Sequence, residues 1–105
     1  MYKGTTPTFT LTLPEGTDLT LASHVYVTFA SAKKTLFTKS GDELEISGEG
    51  NAVNVYLDQE ETLGLPAQVF IQINWTYTEA GAKKRACSTV KRVSVSENLC
   101  REVLD

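Results

Sequence analysis

The sequence predicts an all-β protein, an immunoglobulin-like β-sandwich of about seven strands with one short crossover helix. Three observations carry this. Short segments of alternating apolar and polar residues recur along the chain, separated by turn residues. One capped helical signal, Asp58 with Glu61 three residues on, sits between the fifth and sixth of them, where such sandwiches step from one sheet to the other. The longest apolar run, inside Gln68–Thr78, follows it directly and has the pattern of a central strand. A small β-barrel is the alternative.

Each element follows from its pattern. In Thr5–Leu13, Phe9, Leu11 and Leu13 alternate with Thr8, Thr10 and Thr12, a half-buried strand whose threonines face water. Pro7 suits its start, where no ladder donor is missed. Thr17–Ser23 is a connection, with Leu19 and Leu21 expected against the core. In His24–Ala30, Val25, Val27 and Phe29 share one face. Lys34–Lys39 is a shorter strand, Ser40–Gly41–Asp42 is turn chemistry, and Glu43–Ser47 is a polar-faced strand. Gly48–Asn51 reads as a hairpin turn, because Gly and Asn tolerate positive φ. Ala52–Leu57 returns with Val53, Val55 and Leu57 inward.

Asp58–Leu63 is then a capped helix of about one to two turns, stopped by Pro66. In the sixth strand, Val69, Ile71, Ile73, Trp75 and Tyr77 lie on one face. Ala82–Val95 is expected as one return strand with a bulge near Lys91–Arg92, because Val90 is out of phase with Val93 and Val95. Ser96 either caps a short helical turn through Leu99, Val103 and Leu104, or that segment frays. Strands one, two and five are assigned to one sheet and three, six and seven to the other, with the fourth at an edge.

The 105 residues are expected to form a single domain spanning 1–105. With 41% hydrophobic and 22% charged residues the chain is globular rather than disordered. A net charge of −3 names no partner, and without a polybasic tail neither nucleic acid nor an anionic membrane is favoured. The polar opening MYKGTTPTFT has no signal-peptide character, so Cys87 and Cys100 are expected as reduced, packed thiols, with a bridge between them as the alternative.

Chemistry has little to stand on. Acid–base catalysis needs a group titrating near neutrality with an orienting partner, and the sole histidine, His24, reads as a strand-end residue. Cys87 lies on a strand, not at a helix N-terminus that would activate it. One His and two Cys do not complete a zinc shell. Asp42, Glu43 and Glu45, and Asp58, Glu60 and Glu61, read as solvated carboxylates rather than a calcium loop. No catalytic residue, cofactor or metal is therefore expected, and the chain is expected not to be an enzyme. The basic run Lys83–Lys84–Arg85, with Lys91 and Arg92, pairs either with acids across the sheet or with another subunit. Trp75 and Tyr77 read as core. The first strand, uncharged on its outer face, is suited to adding to a neighbouring sheet.

Four stretches carry a resemblance: GTTPTFTLTLP (4–14), LDQEETLGL (57–65), VFIQINW (69–75) and VKRVSVSENLCREVL (90–104). Together they resemble a family of small proteins encoded by phages and prophages of Gram-positive, often gut, bacteria. More distantly, the chain is similar to the N-terminal β-sandwich domain of the upper baseplate protein of lactococcal phages. The shared motifs are structural. The resemblance implies a virion structural or assembly protein, tail or baseplate associated, acting as a rigid protein–protein interaction module. Its partners would be other phage structural proteins or further copies of itself, with no nucleic acid or membrane. It would be a virion component, cytoplasmic in the bacterial host before assembly. Candidate subunit contacts are Thr5, Thr6, Thr8 and Thr10 on the first strand, and Lys83, Lys84, Arg85 and Arg92 on the last. A carbohydrate- or cell-surface-binding sandwich centred on Trp75 is the competing function.

Overall fold

A computed structural model describes residues 1–105. Eight strands form two antiparallel sheets: β1 (Thr8–Thr12), β2 (His24–Ala30), β3 (Thr35–Ser40), β4 (Leu44–Ile46), β5 (Ala52–Tyr56), β6 (Gln68–Glu79), β7 (Ala82–Cys87) and β8 (Lys91–Ser94). The first sheet runs β1-β5-β4 and the second β3-β2-β6-β7, with β8 also on β6. The sheets pack face to face and do not close into a barrel. With β1 taken as the second strand of an immunoglobulin sandwich, both sheet orders match that fold, and no strand occupies the place beside β1.

The inward positions fuse into one core. Leu11 and Leu13, Val53, Val55 and Leu57 come from the first sheet and its flanks. Val25, Val27 and Phe29 with Val69, Ile71 and Ile73 come from the second. Burying such side chains is worth roughly 1.5–3 kcal/mol each, so these alternating faces hold the layers together.

The sheet assignment of β2 is a correction: β2 lies between β3 and β6. The cause is local. Ser31 accepts from the Lys34 amide through its side chain and donates its own amide to the Lys34 carbonyl, closing a tight β2–β3 hairpin. The change of sheet falls earlier, in the loop after β1. There Asp18 caps a 3-10 turn at Leu19–Leu21, accepting from the Thr20 amide. Leu19 is buried by this turn, whereas Leu21, expected inside, is exposed.

A second 3-10 turn, Gly41–Glu43, carries β3 to β4 with a capping box between Ser40 and Glu43. The helix α1 (Gln59–Leu63) carries β5 to β6 with the expected box between Asp58 and Glu61. Each change of sheet is thus made by one capped helical turn. No helix is long and apolar enough to cross a membrane.

Two contacts fix α1. Lys39 of β3, its side chain only 12% exposed, pairs with Glu61 and also reaches Glu43. Thr62 is fully buried and donates its hydroxyl to the Thr5 carbonyl at 2.7 Å. Replacing it by valine keeps the shape but leaves that carbonyl unpaired. Thr62→Val should therefore cost about 1–3 kcal/mol in urea unfolding, and an unchanged midpoint would mean the bond contributes nothing.

The return strand is two strands. The interruption falls at Ser88–Val90, not at Lys91–Arg92. Ser88 causes it: its hydroxyl accepts from the Ile73 amide in place of its own carbonyl, which accepts from Gln72 instead. Val90 is consequently turned out to solvent. Ser96 caps no helix, because its backbone is used elsewhere: its amide donates to Met1 and its carbonyl accepts from Lys3. Cys87 and Cys100 are free, but both are exposed rather than packed. Cys87 stands opposite Asn74 on the wet face of the β6–β7 pair, and Cys100 lies in the segment after β8.

Candidate interaction surface

β1 is an edge strand of the first sheet. Its odd residues bond to β5, as shown by Leu13 donating to Asn51 and Leu57 donating to Pro7. Antiparallel alternation therefore turns the main-chain groups of Thr8, Thr10 and Thr12 away from β5, toward the open edge. Beside that edge is a cleft of about 440 Å³ between the sheets. Leu11, Ile71, Ile73 and Val90 supply its apolar lining, and Thr12 and Lys91 flank it. The displaced Ser88–Val90 link forms its far wall, so the interruption of the return strand also shapes this cleft.

The expected contact residues divide. Thr8 and Thr10 are exposed on β1, with the Thr10 hydroxyl donating to Asn54 at 2.7 Å. Thr5 and Thr6 precede the strand, which starts at Thr8. Thr5 is tied inward, its hydroxyl donating to the Tyr2 carbonyl and its own carbonyl bonded to Thr62. It is an anchor for α1 rather than part of the edge.

Lys83, Lys84 and Arg85 on β7 and Arg92 on β8 are all exposed. Across the β6–β7 ladder they face Thr78, Tyr77 and Thr76, so no acid stands opposite them. Arg85 donates twice to the Asn74 amide oxygen, and none of these cations, nor Lys91, forms an ion pair. Of the two expectations for the basic run, pairing within the sheet is removed.

The β6–β7 hairpin projects past the first sheet, and burial along β6 stops after Ile73. The projection accounts for the elongated shape, 53 × 29 × 20 Å with a radius of gyration of 15.0 Å, against roughly 13 Å for a compact chain of this length. It also leaves Trp75 and Tyr77 half-buried rather than in the core, a further correction. They line an open groove of about 400 Å³ with Leu21, Asp18 and Glu79.

The opposite edge is acidic and braced. Glu45 of β4 accepts from the Tyr56 hydroxyl at 3.2 Å. That hydrogen bond, reinforced by the carboxylate charge, raises the Tyr56 phenol above the ordinary tyrosine range. The folded state holds this proton more tightly, so its contribution is complete below the unfolded tyrosine pKa and is lost as pH rises through the folded one. In an ultraviolet titration Tyr56 should ionise at a higher pH than in Glu45→Gln, and coincident curves would contradict the assignment.

No group of three or more His, Cys, Asp or Glu side chains is placed to hold a metal ion. His24 is exposed at the start of β2, its ring 6.3 Å from that of Tyr26. No family model, curated protein or solved structure matches the chain.

Proposed function

We propose that this protein is a non-catalytic structural module of a phage or prophage particle, tail or baseplate associated, which works by docking rigidly to neighbouring subunits. The observation that carries this reading is the open edge of β1 beside a cleft between the sheets, since unpaired strand edges are templates for another chain. The cations of β7 and β8 support it, because they have no counter-charge within the chain. The four stretches of resemblance supply the particle. On this reading the protein is cytoplasmic in the host before assembly and binds neither nucleic acid nor membrane.

The test is quantitative mass spectrometry of particles purified after induction of the host. A fixed stoichiometry with the tail proteins is expected, and absence from washed particles would overturn the reading.

The groove at Trp75 and Tyr77 favours a second reading, a carbohydrate-binding module. Aromatic faces beside carboxylates form a surface on which a sugar ring can rest. Titration with cell-wall saccharides decides it: a saturable change in Trp75 emission, lost in Tyr77→Ala, supports the module, and a flat response removes it.

A further inference from the structure

We propose that the open edge of β1 accepts residues Glu97–Asp105 of a second copy of this chain as an added strand. The inference rests on the assembly role above and names the partner.

The acceptor is defined by what the fold lacks. In the seven-strand immunoglobulin arrangement a strand lies beside the position that β1 occupies here. The Met1–Lys3 segment does not fill that place, because Tyr2 pairs in parallel with Ser96 beyond β8. The outward groups of Thr8, Thr10 and Thr12 are therefore left for a partner backbone, and the cleft between Leu11 and Val90 for its side chains.

The donor is defined by what it leaves uncovered. Residues 97–105 form no helix or strand, and Leu99, Val103 and Leu104 are exposed, Leu99 completely. The segment is held to its own body by the Lys3–Glu97 ion pair at 3.1 Å and by side-chain hydrogen bonds. Asn98 donates to the Lys3 carbonyl, and Gln59 both accepts from the Leu104 amide and donates to its carbonyl. Those two Gln59 bonds imitate what a neighbouring strand would make, so Gln59 competes for the donor in its resting position.

Length, pattern and charge agree. Nine residues in extended form reach roughly 30 Å, more than the roughly 17 Å of a five-residue strand. A period of two puts Cys100, Glu102 and Leu104 on the cleft-facing side, a carboxylate between two apolar groups, and turns Leu99, Arg101 and Val103 to the outer side. Lys91 at the cleft matches that carboxylate. Glu97 is already paired with Lys3, and the remaining acids, Glu102 and Asp105, still outnumber Arg101 in the donor, while β1 itself carries no charge. Donor and acceptor are different surfaces of one chain, so the contact propagates head to tail or closes reciprocally.

The experiment is sedimentation velocity on the full chain over a concentration series. Wild type should assemble beyond the monomer. Thr10→Pro removes an amide that is not in the β5 ladder, so it should keep the fold and be monomeric. Thr12→Pro serves the same purpose if Thr10→Pro does not fold. The donor variant Cys100→Asp/Leu104→Asp, which changes the two side chains on the cleft-facing side, should also be monomeric. Mixed, an acceptor variant and the donor variant should form a complex, because each retains one intact surface. Gln59→Ala should lower the assembly midpoint roughly tenfold by freeing the donor.

A wild type that stays monomeric throughout, or assembly that persists in the folded Pro variants, overturns the proposal. If the protein is present in particles yet shows no donor–acceptor contact, the inference falls and the assembly role stands. Self-assembly by a protein absent from particles has the reverse meaning.

Discussion

Phe29→Ala should destabilise the protein by about 3–5 kcal/mol, enough to remove much of the stability of a domain this size. Phe29 is fully buried at the point where the sheets are tied together. Its ring stacks on Phe37 of β3 at 4.9 Å and meets Phe9 of β1, from the opposite sheet, at 6.3 Å. Truncation leaves a cavity that neither sheet can close, since β2 is held by ladders to β3 and β6 and β1 by its ladder to β5. Phe37→Ala should cost less, because Phe37 is already half-exposed and its site can refill with water. Urea unfolding of the two variants checks this. Equal losses would mean that the core is centred elsewhere.

Gly50→Ala should cost about 2–4 kcal/mol, although glycine to alanine adds only a methyl group. Gly50 closes the β4–β5 turn at a φ of +75° and is buried. A Cβ there would stand 2.1 Å from an Asp18 carboxylate oxygen and 2.8 Å from the Leu19 amide. That amide donates to the Gly50 carbonyl at 2.8 Å, and Asp18 is the cap of the first crossing. The methyl therefore disturbs the hairpin and the β1–β2 crossing together. Gly41→Ala is the control. It has a positive φ of +58° but nothing within 4 Å, so it should cost only about 1 kcal/mol. Similar thermal shifts for both variants would show that backbone strain alone, and not the Asp18 contact, sets the cost.

Much of this architecture is legible in the sequence because it depends on local period. Alternation in β1, β2, β5 and the first half of β6 places the buried residues correctly. Asp58 and Glu61 give the β5–β6 crossing and its cap. The same signal stands at Ser40 and Glu43, three residues apart, where turn chemistry masks a second capped crossing. The location of β2 was less accessible, because alternation says which side of a strand is wet but not which strand lies beside it. The Ser31–Lys34 hairpin decides that question.

Trp75 and Tyr77 show the converse limit. They continue the apolar period of Val69–Ile73, yet the first sheet ends before it covers them. Period records the face, whereas burial depends on how far the opposing layer extends. The candidate surface divides similarly. A flat, uncharged first strand is readable from its threonines, but the cleft beside it arises from Ser88 interrupting the return strand, which no spacing rule announces. The absence of acids opposite Lys83, Lys84 and Arg85 depends on the β6–β7 register and is known only once the strands are paired.

Amide hydrogen exchange along β1 tests the central claim, that its outer edge is a docking site, most directly. In the isolated protein under monomeric conditions the Phe9 and Leu11 amides should be protected by β5, and those of Thr8, Thr10 and Thr12 should exchange freely. In the protein recovered from assembled particles, the three threonine amides should become protected while Phe9 and Leu11 change little. Equally rapid exchange of Thr8, Thr10 and Thr12 in both states would contradict a docking role for this edge.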